Sequence, residues 1–417
     1  MVSIALLQLI EDEDEENFMF LLYASARNKR RVRWQHRRID WDDHLEMTRH
    51  TEGFQRRYHM TEPSFDKLVS LLRADLQVDE LQAIRAGGAD PITPEMTVAV
   101  GLRFLGGSVT KDIEDFFAMS KTTTHSKIYS FLHAVDKRLK INVPTTEEEL
   151  QKSAAEWTAL SSAFGIYDGC VGAIDGWLCC INAPSVHNPT DYHSGHYHRH
   201  GVNVQAVCDA NLRFIYFAVA APGRTNDARA FNNCLQLRTW LDSLPEKYFL
   251  IGDNAYTLKK TMLIPFSGAA KHITYNRTFN FYLSQLRIRV EMSFGRLTTK
   301  WRIFRRNLDQ NVVNVALICR VAARLHNFVI DNDDIRFSAS AARPSDFEVD
   351  TLGSGPTNNN GYLRTLPTRD EQQSGLVENG DRRNAILSEL ESRMMRRPTR
   401  NLVRNNALDA DSDYENN

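Results

Sequence analysis

The sequence predicts an α/β domain with a mixed sheet and flanking helices, preceded by an all-α region. Apolar residues recur at helical spacing between residues 47 and 143, and the period then changes. Short β-rich runs follow at 171–174, 201–207, 214–220 and 248–251. Amphipathic stretches predict helices at 226–241, 284–305 and 312–331. The order β-β-β-α-β…α is the one that an RNase H-like fold requires.

Length and composition are consistent with a folded core and charged ends. The chain has 417 residues, of which 42% are hydrophobic and 10% aromatic, and this excludes a wholly disordered protein. No apolar stretch approaches the roughly 20 residues that span a bilayer, and the acids after the apolar N-terminus argue against a signal peptide. Six cysteines without a zinc-type CxxC pair do not form a disulfide framework, so we expect the cytosol or nucleus and no membrane.

Changes in composition divide the chain into five predicted segments. They are a charged mobile N-terminal arm (1–46), a helical helix-turn-helix-like region (47–143), a linker with a helix (144–170), the RNase H-like domain (171–331) and a largely disordered tail (332–417). The arm carries six consecutive acids at 11–16 and then seven Arg or Lys at 27–38. This basic block is an exposed arm, a nuclear-import signal or a DNA-backbone contact, and we expect the nucleus. A basic helix is possible at 382–397.

Two short helices are predicted at 110–118 and 121–135, and Ser120 can cap the second. Their length and spacing are typical of a helix-turn-helix, although an ordinary helical bundle explains them as well. If the pair binds DNA, small polar and basic residues near the start of the second helix would face the groove. They are Lys121, Thr122, Thr124, His125 and Lys127.

Three acids occupy the positions that an RNase H-like fold needs for catalysis. Asp175 follows the first β-rich run, Asp253 follows the fourth, and Glu291 lies within the long helix at 284–305. Ends of adjacent strands are about 4.8 Å apart, so side chains there can converge. Crowded carboxylates repel each other unless a cation neutralises them, and oxygen ligands suit Mg²⁺ or Mn²⁺. The sequence therefore predicts a two-metal site that cuts phosphodiesters.

The surroundings of Glu291 allow two interpretations. Residues 271–306 carry nine Lys or Arg and one acid, Glu291 itself. The acid is either the i,i+4 salt-bridge partner of Arg287 or a metal ligand flanked by phosphate-binding cations. The cations predicted to contact DNA are Arg287, Arg289, Arg296, Lys300 and Arg302.

Two further groups have open roles. Asp227 either caps the helix at 226–241, which is the favoured interpretation, or joins the metal site. The segment 187–200 contains five histidines, and in a strand His196, His198 and His200 would share one face. A zinc site there is an alternative to contact with the DNA backbone or plain exposure to solvent.

Six sequence blocks occur in the order seen in one known family. They are GAIDG (172–176), NVQAVCD (203–209), PGRTNDAR (222–229), GDNAY (252–256), VEMSFGRL (290–297) and RLHNF (324–328). Together these blocks resemble the DDE endonuclease domain of PIF/Harbinger-type transposases and their domesticated nuclease relatives. The resemblance covers about residues 171–330, and the helical N-terminal region is also similar to that of the family.

The resemblance implies an RNase H-like fold, a DDE triad on Asp175, Asp253 and Glu291, divalent metal, DNA strand cleavage and strand transfer. It also implies a Myb/SANT-like partner protein and a homo-dimer or higher oligomer, because two element ends must be cut together. The sequence departs from the family at residues 176–178, 254–255 and 292–293, where the usual neighbours of the acids are replaced. These departures concern the specificity for DNA ends and leave the carboxylates in place.

Two hypotheses of different classes follow for the function. The first is a metal-dependent DNA endonuclease and transposase that cuts at transposon ends and transfers the 3′-OH to target DNA. The second is a domesticated, non-catalytic DNA-binding or scaffold protein on the same fold. An RNA-directed nuclease fits the fold equally well but not the sequence blocks.

Overall fold

A computed structural model of the chain describes residues 38–51, 53–77, 91–163, 165–185, 188–333 and 381–397. The acidic run at 11–16, nearly all of the basic block at 27–38 and most of the predicted tail lie outside these residues. The predictions for those segments stay predictions.

The described chain begins with helices that pack around a shared apolar core. They are α1 (Trp41–His50), α2 (Phe54–Tyr58), α3 (Glu62–Leu76), α4 (Pro94–Leu105), α5 (Thr110–Phe116), α6 (Lys121–Arg138) and α7 (Glu147–Leu160). Thr93 caps α4 by accepting a hydrogen bond from the Met96 amide. Ser120 caps α6, as predicted, by accepting from the Thr123 amide. Residues 41–46, which were predicted to belong to the mobile arm, form the first part of α1.

A mixed sheet forms the centre of the α/β region. Its strands are β1 (Cys170–Cys180), β2 (His193–Ser194), β3 (Arg199–Cys208), β4 (Phe214–Pro222), β5 (Phe249–Ile251) and β6 (Met262–Leu263). Strand β3 pairs antiparallel with β1 and β4, and its first residues pair with β2. On the other side β1 pairs parallel with β5, and β5 parallel with β6. The mixed α/β class is confirmed, and the topology is compatible with a DDE nuclease fold.

Helices cover both faces of this sheet. They are α8 (Asp227–Asn233), α9 (Leu235–Ser243), α10 (Thr274–Lys300) and α11 (Val312–Asn332), with α12 (Asp381–Ser392) packed against α10. The prediction of a single helix at 226–241 is wrong. The helical conformation is interrupted at Cys234, which separates α8 from α9. Helix α10 begins at Thr274 rather than near 284, since buried Phe279 and Tyr282 extend its apolar side towards the N-terminus.

The two faces of the sheet have separate apolar cores. Helix α10 crosses β1, β3 and β5 on one face, where the core is continuous with that of the helical region. On the opposite face Ile174 of β1 packs in a second core with Leu237 and Trp240 of α9. Residues that follow each other along β1 therefore face different surroundings, and this alternation decides which side chains can meet at a site.

Helix α11 contradicts the expectation that no apolar stretch is long enough to cross a bilayer. By length and composition alone it is long and apolar enough, but 67% of its apolar window is buried inside the molecule. Its inward side also holds the β3–β4 turn: His326 Nε2 donates to the Leu212 carbonyl at 2.8 Å. The Asn327 amide accepts from the Phe214 N–H at 2.8 Å and donates to the Phe214 carbonyl at 2.7 Å. These contacts are those of a core helix.

We expect Asn327→Leu to destabilise the fold, because it leaves the buried N–H and C=O of Phe214 without partners. Each unsatisfied backbone group costs about 1–3 kcal/mol, so the free energy of unfolding should fall by roughly 2–4 kcal/mol. Chemical denaturation followed by circular dichroism measures this change. Asn307→Leu, at an exposed position, is the matched control and should change the free energy by less than about 0.5 kcal/mol.

Candidate active site

The pairing of strands β1 and β5 places Asp175 and Asp253 side by side. The parallel register pairs Ala173 with Ile251, where β5 ends, and each acid follows two residues later. Side chains two residues apart point to the same face, so both acids start on the face that α10 crosses. Asp175 lies in the middle of β1 and not at its end as predicted, because β1 continues along β3 to the pair Cys180–Gly201.

Helix α10 brings Glu291 to the same pocket. The apolar side of the helix is buried at Val290 and Phe294, and Glu291 lies at its edge with 42% of its side chain exposed. Arg287 lies one turn earlier, and its Nη1 is 2.8 Å from Glu291 Oε1 and 3.8 Å from Asp175 Oδ2. Because one nitrogen contacts both, the two carboxylates are neighbours. The predicted i,i+4 salt bridge therefore exists and extends to Asp175.

Burial dominates the electrostatics of Asp175. Burial makes the largest contribution, and the nearby charges of Asp253 and, to a smaller extent, Glu291 act in the same direction, so that the pKa of this carboxyl is raised to about 7. The Arg287 guanidinium and a hydrogen bond from the Gly176 amide at 2.9 Å act in the opposite direction. Asp253 is held in the turn after β5 by the Ala255 amide, which donates to its Oδ1 at 2.8 Å. Negative charge at this pocket is costly without an additional cation.

The chemistry of these donors fits a divalent cation such as Mg²⁺ or Mn²⁺. All three side chains offer carboxylate oxygens, which hard cations prefer, and a cation would favour the charged form of Asp175 that burial and the neighbouring acids disfavour. In the arrangement seen here Arg287 supplies part of that positive charge. Within the described residues no three His, Cys, Asp or Glu side chains are grouped closely enough to hold a metal ion.

Asp227 does not cap its helix, contrary to the favoured prediction. Asn226 caps α8 by accepting from the Arg229 amide at 3.0 Å. A Cβ on Gly176 would lie 2.0 Å from Asp227 Oδ1, so this oxygen fills the space beside Gly176. Since Gly176 follows Asp175 directly, that space is on the opposite face of β1. Asp227 thus approaches the strand from the side away from α10.

Sequence analysis missed the polar network that holds Asp227 there. Asn203 Nδ2 and Gln205 Nε2 donate to Asp227 Oδ1 at 2.9 and 3.1 Å. The Tyr256 hydroxyl donates to Gln205 Oε1 at 2.7 Å, and burial raises the pKa of this tyrosine well above its usual value. These residues lie in the blocks NVQAVCD, PGRTNDAR and GDNAY, but a sequence block does not reveal hydrogen bonds between strands. The network links β3, α8 and the turn after β5 behind the acids.

The structure separates the residues predicted to contact DNA into exposed and buried groups. Lys121, Thr122 and His125 are exposed on α6, whereas Thr124 is fully buried and cannot face a groove. Burial also lowers the pKa of half-buried Lys127.

The basic residues of α10 and of the segment after it that were predicted to contact DNA also divide into exposed and buried groups. Arg302 is exposed, but Arg289 is buried and its pKa is lowered by that burial, so the prediction that it contacts phosphate is wrong. Burial lowers the pKa of half-buried Arg296 and Lys300 too, and Lys300 lies 4.0 Å from Asp333.

The histidines of 188–200 form an exposed hairpin and not one strand face. Strand β3 begins at Arg199, so His196 and His198 lie in the turn, and the prediction of a shared face is wrong. The rings of His193 and His200 pack edge to face across the β2–β3 pair, with centroids 5.1 Å apart. No metal-holding group of three side chains occurs here among the described residues, and His187 lies outside them.

We predict that Gly176→Ala disturbs the site from behind the sheet. The new methyl group would lie 2.0 Å from Asp227 Oδ1 and 2.9 Å from Gln205 Nε2, so the network must shift. Overpacking of this kind costs about 1–3 kcal/mol, measured as a lower melting temperature. Gly195→Ala is the control, because nothing lies within 4 Å of a Cβ at that position, and an equal loss in both variants would contradict the close contact.

A second prediction concerns pH and the metal-free protein. The folded pKa of Asp175 is about 7, above the unfolded value of about 3.9. The protonated carboxyl therefore stabilises the fold below about pH 4, and this contribution is lost as the pH rises to about 7. Denaturation in chelator should show Asp175→Asn gaining on the order of 3 kcal/mol over the wild type across this window. A difference that does not vary with pH would contradict the raised pKa.

Comparisons with known proteins match the region of the chain that contains these acids. Residues 174–327, which include Asp175, Asp253 and Glu291, match the family model of the DDE superfamily endonuclease. The chain is also 24% identical over 305 residues to the Arabidopsis thaliana protein named "Protein ALP1-like", covering 67% of this chain and 71% of that protein. No solved structure matches the chain significantly. Residues 174–327 are thus similar to DDE superfamily endonucleases, and the chain is distantly related to the Arabidopsis protein.

Proposed function

We propose that the protein is a divalent-metal-dependent DNA endonuclease and transposase of the PIF/Harbinger type, which cuts at transposon ends and transfers the 3′-OH to target DNA. One observation carries the proposal. Asp175 and Asp253 stand abreast where β5 ends, on the face where α10 presents Glu291. The match of residues 174–327 to the DDE superfamily endonuclease supports it independently.

Asp175, Asp253 and Glu291 would hold two ions of Mg²⁺ or Mn²⁺. When bound, the metal supplies a Lewis acid that activates water or a 3′-hydroxyl and stabilises the leaving oxygen of the phosphodiester. The chain itself fixes the acids through β1, the turn after β5 and α10. The buried environment of Asp175 limits competition from water for these oxygens. Exposed Arg302 and partly exposed Arg287 are suited to hold phosphates.

DNA binding by the helical region is part of the same proposal. Lys121, Thr122 and His125 are exposed in the first turns of α6, where a helix-turn-helix contacts DNA. Arg302 adjoins this region, because a Cβ on Gly107, just before α5, would lie 3.1 Å from the Arg302 backbone. We therefore propose that one DNA duplex contacts both α6 and the segment after α10.

We further propose a nuclear protein that acts as a homo-dimer or higher oligomer with a Myb/SANT-like partner. The basic block at 27–38 supports nuclear import and contact with DNA. The oligomer follows from the need to cut two element ends together, and the partner rests on the family resemblance alone.

A second candidate function is a non-catalytic DNA-binding or scaffold protein on the same fold. The Arg287 contacts favour it, because a guanidinium already supplies positive charge to Asp175 and Glu291. A protein of this kind would keep DNA binding and need no metal.

A nicking assay on end-containing DNA separates the two candidates. We expect the wild type to nick DNA with Mg²⁺ or Mn²⁺ and not in chelator. Asp175→Asn and Glu291→Gln should abolish nicking, while DNA binding is retained or tighter because negative charge near phosphate is removed. Asp242→Asn, an exposed acid on α9, is the matched control and should nick as the wild type does. Nicking by Asp175→Asn would refute the assignment of the site. DNA binding by the wild type without nicking under either metal would establish the second candidate.

A further inference from the structure

Arg287 is the cation of the acidic pocket in this structure. Its Nη1 lies 2.8 Å from Glu291 Oε1 and 3.8 Å from Asp175 Oδ2, and 23% of its side chain is exposed. Water screens the contact with largely buried Asp175 less than it screens a surface ion pair, whereas the closer contact is with Glu291, whose side chain is 42% exposed. Arg287 therefore lowers the repulsion between Asp175 and Glu291 when no metal is bound.

The neighbouring arginine on the same helix has a different environment. Arg289 is buried near Cys208, and its pKa is lowered by desolvation. Two residues correspond to about 200° around a helix, so Arg287 and Arg289 point in nearly opposite directions. The sequence pattern of alternating basic residues before Glu291 thus contains one residue that faces the acids and one that packs in the interior.

We infer that Arg287 and divalent metal compete for Asp175 and Glu291, so that metal binding releases the guanidinium for a DNA phosphate. The inference rests on the proposed function, since it assumes that the acids bind metal. Two cations in contact with the same carboxylates repel each other, so each weakens the binding of the other. Arg287 is partly exposed and one turn from Glu291, and guanidinium pairs well with phosphate. Metal and DNA then bind with positive coupling through this side chain.

The competition is tested by titrating the full chain with Mn²⁺ in the absence of DNA and measuring the binding by calorimetry. Arg287→Gln removes the charge and keeps a polar side chain, and we expect it to bind Mn²⁺ at least about fivefold more tightly than the wild type. Its melting temperature without metal should be lower, and the rise caused by Mn²⁺ larger, because the acids have lost their counter-ion. Arg287→Lys keeps the positive charge, so its Mn²⁺ affinity should stay near that of the wild type.

Arg320→Gln is the matched control. Arg320, on α11, forms an ion pair with Asp136 of α6 at 3.2 Å. Its loss should lower the melting temperature without changing the affinity for Mn²⁺. The second part of the test repeats the titration with a short DNA duplex. The duplex should raise the Mn²⁺ affinity of the wild type, and this gain should shrink at least about fivefold in Arg287→Gln.

The outcomes distinguish the inference from the proposed function. If the wild type binds Mn²⁺ and Arg287→Gln binds it equally or more weakly, the competition is overturned and the proposed function survives. An undiminished gain from DNA in Arg287→Gln overturns the coupling in the same way. If neither the wild type nor Arg287→Gln binds Mn²⁺, the metal site itself is refuted, and the inference falls with it.

Discussion

Repulsion between carboxylates in a poorly solvated pocket is the constraint on which the other features of this protein depend. Asp175 is buried enough for its pKa to reach about 7, and Asp253 and Glu291 add negative charge beside it. A chain that gathers these groups must also supply a counter-charge, and Arg287 does so in the folded protein. Part of the counter-charge is therefore built into the chain, whereas proteins that fold around their metal obtain it from the ion.

The sheet separates the face that carries the acids from the face that supports them. On the α10 face the acids and Arg287 meet. On the opposite face Asp227 closes the space beside Gly176 and is held by Asn203 and Gln205. Hydrogen-bonded networks of this type are rigid only when every member is satisfied, and here the Tyr256 hydroxyl completes the amide of Gln205. The rigidity of this support decides how accurately β1 presents Asp175.

Several of the family-like sequence blocks thus have a structural role. The block RLHNF fixes the β3–β4 turn to α11 through His326 and Asn327. The blocks NVQAVCD and PGRTNDAR supply the network behind β1. Resemblance between proteins across such blocks is evidence for a shared scaffold, and it is evidence for shared chemistry only at the acids. This is why the comparison with DDE superfamily endonucleases supports the fold more directly than it supports current activity.

The sequence alone determined the α/β class and most helices, because hydrophobic period is a local signal, and it singled out the three acids that the fold then places near one another. It placed Asp175 at the end of a strand, since a run of apolar residues does not show that β1 continues along β3 to Cys180. The sequence likewise did not show that Arg287 contacts the acids while Arg289 is buried, or that Asp227 lies on the opposite face of the sheet. Those decisions depend on register and on which side of a strand or helix is covered, and only the tertiary structure sets them, through contacts between residues far apart in the chain.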